Sequence, residues 1–459
     1  MNVMLAFALA SVMLSVGVIF RAKLKFLKNL LVPASVVGGI IGLIVMNFGL
    51  NDVIKASTFT QIANHLFTIT FISIGLTAHL STGKKDEHSA AKNITKGSIA
   101  MGFLWNIMYA LGAVVGGLII LFIGRHFSME PVYGMLIPLG FTQGPGPAAA
   151  MGTILEQQHG LENAAMVAMT FAAIGFIVCF VIGVPLAKKG IKIGLSKNID
   201  DYRINEYIKR GFYKRNEKSS SLGKETTYSG NIDTLSFHFS IIGISYLLGV
   251  GIAELIAMIP GFGENLSALL FLWGMVAAYI VKFIMKKLDV DYLLNNTLQT
   301  KITAWSTDYI IVSAFMAIQL SVLADWLIPI LIESLVITVL TFIISIYFGQ
   351  RIGGNNDFER TLALFGSSTA TVPSGVMLLR IVDPNLETTT KVELGTMNIP
   401  MMLFYITVAT IMSIASGGVS LINGFLLLAA PIPIYLILLK LLKLWGKKTY
   451  SFKEGENEV

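Results

Sequence analysis

Residues 138–152 read PLGFTQGPGPAAAMG, and they interrupt a chain otherwise built from long apolar runs. Three prolines and four glycines fall within fifteen positions, alongside Thr142 and Gln143. Glycine and proline are the poorest helix formers, and backbone freed inside lipid costs several kcal/mol for each unsatisfied group. Such a stretch survives at membrane depth only where protein buries it or where it lines a watery cavity.

The rest of the chain supplies the membrane. Of its 459 residues, 54% are hydrophobic and only 13% charged, about half the charge of an ordinary soluble protein. Apolar runs near 3–20, 30–49, 62–80, 98–123, 162–187, 235–259, 265–286, 307–323, 326–348, 394–416 and 418–441 read as spans. The segments 131–157 and 361–383 are apolar too, but broken by Gly, Pro, Ser and Thr. If each dips into the membrane and returns, 32 of the 34 lysines and arginines fall on one side, leaving only Lys55 and Arg125 on the other. The positive-inside rule then makes that side the cytosol. Basic residues follow the first apolar run rather than precede it, so it reads as a span with its N-terminus outside, not a secretory signal. The lone Cys179, within FAAIGFIVCFVIGV, reads as a small buried hydrophobe and excludes an internal disulfide.

A faint repeat divides the chain. At an offset of 226, Gly140, Pro147 and Met151 fall on Gly366, Pro373 and Met377; Pro33 and Pro260 stand 227 apart. Each half holds four spans, a broken segment and a fifth span, and an odd number of crossings inverts the second half. The expected fold is therefore an all-α polytopic membrane protein. It has two inverted-topology repeats of five spans, each with a re-entrant hairpin loop, plus one extra C-terminal helix. The repeats cover 1–187, with re-entrant segment 131–157, and 235–416, with re-entrant segment 361–383. The basic stretch 188–234 reads as a cytoplasmic linker, and 417–459 as the extra helix with a cytoplasmic tail.

Re-entrant segments entering from opposite faces bring their tips together near the midplane. Glycine lets backbone approach a solute closely, freed carbonyls bind a dehydrated cation, and helix N-termini favour an anionic group. Gly144, Gly146, Thr142 and Gln143 at the first tip, with Ser367, Ser368, Thr369, Thr371 and Ser374 at the second, are the candidate substrate-binding residues. The alternative is a pair of kinked helices whose hydroxyls bond their own carbonyls. Asn398 lies beside Pro400 and joins both the substrate and the cation candidates; Gly144, Thr170 and Thr369 complete the cation set. Arg380 either pairs with a substrate carboxylate or marks the cytoplasmic mouth. Glu333, eight residues into a span, is either functional or packed at a polar seam. Asp308 reads as a cap, a cation ligand or a proton site. Gly38, Gly42, Gly112 and Gly116 have the spacing of helix-packing faces.

The stretch MVAMTFAAIGFIVCFVIGVPLAKKG (166–190), with VPASVVGGIIG (32–42), ISIGL (72–76) and Pro400 in NIPMMLF, resembles the bacterial sodium/glutamate symporters. That resemblance implies a homodimer with a scaffold and a moving transport domain in the cytoplasmic membrane. It also implies Na⁺-coupled uptake of glutamate or a similar small anion, bound between the two tips. No other cofactor or nucleic acid is expected, and H⁺ is the alternative coupling ion. The tips depart from the family: Thr142–Pro147 stands where it is Gly-Gly-His-Gly-like, GSSTATVPSG (366–375) replaces a glycine-rich loop, and Ser35 replaces a proline. A carrier of a di- or hydroxycarboxylate is therefore the runner-up, and a channel, whose filters also use re-entrant loops, the next. HExxH, GxGD and GxSxG motifs are all missing, the histidines lack metal-ligand spacing, and an enzyme or a transition-metal site is not expected.

Overall fold

The computed structural model describes residues 2–50, 54–77, 87–196, 223–259, 267, 269–384 and 387–452. Among these there is no strand. The longer helices, in order, are α1 (Asn2–Lys23), α2 (Ala34–Val45), α3 (Ala56–Thr77), α4 (Glu87–Ile123), α5 (Pro145–His159) and α6 (Ala164–Lys192), with a short helix, Pro131–Gly134, between α4 and α5. The second half holds α7 (Thr234–Ala257), α8 (Leu270–Lys287), α9 (Asn296–Met316), α10 (Leu327–Gly349), α11 (Asp357–Thr369) and α12 (Val372–Val382). After the short helices Thr390–Thr396 and Asn398–Met401 come α13 (Tyr405–Ala415), α14 (Leu421–Ala429) and α15 (Pro431–Leu441). Eight helical stretches among the described residues are long and apolar enough to cross a membrane. Most of the basic linker expected at 188–234, and Pro260, lie outside the described residues.

The distribution of side chains is that of a protein in lipid. On α10, Ile328, Leu331, Ile332, Leu335, Val339 and Ile343 are exposed, while Glu333, Ser334, Thr338, Thr341 and Ser345 are buried. Apolar side chains outside and hydroxyls inside is the reverse of a helix in water. Two of these hydroxyls are satisfied locally: Ser334 donates to Ile330 O and Thr338 to Ser334 O.

Packing falls into two groups. One contains α1, α2, α3, α7, α8 and α9; the other contains α4, α5, α6, α10, α11, α12 and the helices after residue 390. They touch mainly where α3 meets α5, where α9 meets α5 and α6, and where α2 meets α6, and Lys188 of α6 donates to Asn29 O. Gly38 packs on the α1 backbone at Met13, and Gly116 on Gly134, so both expected glycine faces serve close packing within the chain.

The span expected at 307–323 lies elsewhere: α9 begins at Asn296 and ends at Met316. Asn295 caps it by accepting from Leu298 N. In its polar first half Gln299 is buried against α3, where Ser73 donates to the Gln299 carbonyl and side-chain oxygens. Cys179 is fully buried, as expected. Residues 446–452 strap the base of α11. Gly446 N donates to Arg351 O, Thr449 Oγ1 to Asp357 Oδ2, and the hydroxyls of Tyr450 and Thr361 lie 2.6 Å apart.

Candidate functional site

The quoted stretch folds as its composition demands. Pro138–Thr142 is a single π-helical turn, closed by Gln143 N donating to Pro138 O. Such turns are frequent at functional sites. Gly144 follows at φ +92°, in a region open mainly to glycine, and forms the N-cap of α5 with Pro145 in the first turn.

The second broken segment is a helical hairpin. Helices α11 and α12 pack on one another, with Gly366 and Gly375 in close backbone contact, and the chain turns at Ala370 and Thr371. Thr371 caps α12: its Oγ1 accepts from Ser374 N at 3.4 Å and lies 3.0 Å from Ser374 Oγ.

The two breaks touch. A Cβ on Gly144 would collide with Thr371 Cγ2 and come within 2.9 Å of Ala370 O. Gly144 and Thr371 are the N-caps of α5 and α12, so two helix N-termini meet there. Their dipoles favour an anion, although Pro145, Pro147 and Pro373 bring no N–H to these ends and the amides of Gly144, Ala148 and Gly375 are already bonded to backbone carbonyls. On the α6 side the same junction offers carbonyls: a Cβ on Gly175 would collide with Thr369 O and come within 2.9 Å of Phe141 O. Helix N-termini and backbone carbonyls side by side can hold an anionic group next to a dehydrated cation.

The expected residues divide accordingly. Thr142, Gly144, Ser367, Ser368, Thr369, Thr371 and Ser374 lie in or beside the breaks; all are buried except Thr371, which is half-buried. The hydroxyls of Ser367 and Thr369 donate within their own helix, to Leu364 O and Phe365 O, and that of Thr170 to Met166 O. Ser368 Oγ is buried with no protein partner. Gln143 Oε1 accepts from Tyr109, while Gly146 faces the ring of Phe67 rather than the second break. Asn398 is exposed, with its amide on Gly395 O, and Arg380 is exposed in the last turn of α12. Asp308 is also exposed within α9.

Helix α4 contributes what the sequence reading overlooked. Trp105 Nε1 donates to Ser367 O, Tyr109 OH to Gln143 Oε1, and Asn106 Nδ2 to Pro400 O, at 3.1, 2.9 and 2.9 Å. One helix thus ties both breaks and the proline after them. The cue was LWNIMYALG (104–112), where three side chains with polar ends cluster inside an apolar run. The model of one protein family, described as Sodium/glutamate symporter, matches residues 1–361, a stretch that contains the first break and ends within α11. No curated protein matches the chain.

Proposed function

Because this chain belongs to the sodium/glutamate symporter family, we propose that it takes up glutamate together with Na⁺ by alternating access, binding both where the two breaks meet. Membership makes it a multi-pass membrane transporter rather than an enzyme, with Na⁺ as the coupling ion and glutamate as the substrate the family implies. The observation that carries the site is the contact of Gly144 with Ala370 and Thr371. In the proposed complex the N-termini of α5 and α12 receive a substrate carboxylate. Thr369 O, Phe141 O and Ala370 O, with Thr371 beside them, face the cation.

We further propose that the two packing groups move against each other in an elevator fashion, the α1–α3 and α7–α9 group serving as the dimeric scaffold. Their main contacts run from α3, α9 and α2 to α5 and α6, fewer than those within either group, which supports separable bodies. The inverted repeat is supported by matching pairings: α1 packs on α2 as α7 does on α8, and α3 on α8 as α9 does on α2. The distribution of lysine and arginine favours an outer N-terminus, with the linker and C-terminus cytoplasmic. A second reading, a di- or hydroxycarboxylate in place of glutamate, draws on the hydroxyl-rich second break and on the exposure of Arg380, which leaves that break without a guanidinium.

Uptake of labelled glutamate into proteoliposomes, with and without an inward sodium gradient, tests the reading. Sodium-driven accumulation is expected. Accumulation only of another anion in a panel would select the second reading. Intact sodium-dependent uptake in both Gly144→Val and Thr369→Val would show that the breaks are not the site.

A further inference from the structure

Glu333 is fully buried in α10, and neither carboxyl oxygen meets a protein donor. No ion pair reaches it among the described residues. It stands at a tight crossing. A Cβ on Gly116 of α4 would meet Glu333 Oε1 at 2.5 Å and would collide with Gly134 O, the carbonyl of the short helix that leads into the first break. Gly116 and Gly134 each press on the other's carbonyl, so the carboxyl sits where α4 holds the first broken segment.

An ionised carboxylate without a partner is too costly to enclose in this way, so the closed crossing requires a bound cation or a proton. A dehydrated metal cation needs a cage of oxygens. Here the Gly116 crossing at which the carboxyl sits is shared with the apolar Ile137 side chain and a single backbone oxygen, Gly134 O, and the hydroxyls of Ser334 and Thr338 are committed to their own helix. A proton needs only the carboxyl. Other titratable groups on the packed elements are remote or engaged elsewhere. Asp357, Glu359 and Arg360 of α11 lie beyond the far end of α10, where Gly349 meets Thr361. Tyr109 of α4 donates to Gln143, Tyr133 to Glu162 O, and Cys179 of α6 lies against Gly366 O. Lys188, Lys189 and Lys192 occupy the last turns of α6, and Arg125, His126, Glu130 and Asp325 lie in the connections outside these helices.

We propose that Glu333 is a proton-binding site, separate from the junction of the breaks, whose protonation closes the α4 crossing onto the first broken segment. The proton comes from water when the crossing opens and returns to water when it reopens. Raising the pH then disfavours the closed arrangement. The consequence for uptake rests on the transport reading above; protonation itself does not.

Infrared spectroscopy of the purified protein reads the proton directly. The carbonyl stretch of a protonated carboxyl is expected in the wild type, fading as pH rises, and its loss is expected in Glu333→Gln, the neutral isostere. Glu333→Asp, which keeps a titrating group, should shift the band and serves if the amide variant fails to fold. In proteoliposomes, sodium-driven uptake by the wild type should fall several-fold as pH rises, while that of Glu333→Gln should stay flat. Identical spectra for wild type and variant would overturn the proposal. A lost band with an unchanged pH profile of uptake would overturn the coupling. Absence of wild-type glutamate uptake would instead count against the transport reading and leave the spectra to decide protonation.

Discussion

The two breaks reach the same junction by different means. The first is held by backbone: a π-helical turn, Gly144 at φ +92° and prolines in the first turn of α5. The second has extended backbone at Thr371, and a side chain, the Thr371 hydroxyl, caps the helix that follows. A conformation that only glycine adopts readily tolerates no Cβ, whereas a hydroxyl cap can be replaced at modest cost. Substitutions should therefore be severe at the first break and graded at the second.

Gly144→Val tests this most strongly. Extended backbone at positive φ costs an L-residue ~1–3 kcal/mol, and collision with Thr371 and Ala370 adds overpacking. Sodium-driven uptake per molecule should fall about 30-fold or more, at roughly tenfold per 1.4 kcal/mol. Gly175→Ala comes next, since its methyl would strike Thr369 O, which belongs to the second break, and crowd Phe141 O, which belongs to the first. The sodium concentration for half-maximal uptake should rise about tenfold, for an overpacking cost of ~1–3 kcal/mol. Thr371→Val removes the cap and should cost about 1 kcal/mol, a loss of roughly fivefold that Thr371→Ser restores. If Thr371→Val proved as damaging as Gly144→Val, the contrast between backbone and side-chain control would collapse. Arg380→Gln should change uptake by less than about twofold, because exposed positions away from special contacts carry little. A larger loss would return Arg380 to the binding site.

Both breaks were legible in the sequence because Gly and Pro betray backbone that cannot continue a helix. Which hydroxyls turn back onto their own carbonyls, the alternative the sequence left open, was not legible. Ser367 and Thr369 donate to carbonyls three and four residues back, a choice that depends on rotamer and packing rather than on residue type. Asn398 looked suited to the carbonyl chemistry around Pro400, yet Asn106, distant in sequence, donates to the Pro400 carbonyl. The polar start of α9 was read as loop because periodicity does not reveal that Ser73 will satisfy Gln299 across the interface. The polar ends of Trp105 and Tyr109 did not by themselves mark them as ties between the breaks, because stacked aromatics, here with ring centroids 4.9 Å apart, are ordinary core residues as well.

The strap of residues 446–452 over α11 has a consequence in time. Thr361 and its partner Tyr450 are separated by 89 residues. At synthesis rates of about 5–20 residues per second, roughly 4–18 s pass before the ribosome delivers the second after the first. During that interval Asp357 has its local partners, Gly353 N and Arg360, but not Thr449, and Phe358 lacks the rings of Tyr450 and Phe452. The base of the second hairpin is therefore completed late in biogenesis, and a ribosome stalled before residue 446 would hold a protein whose first break is built while its second is still unfastened.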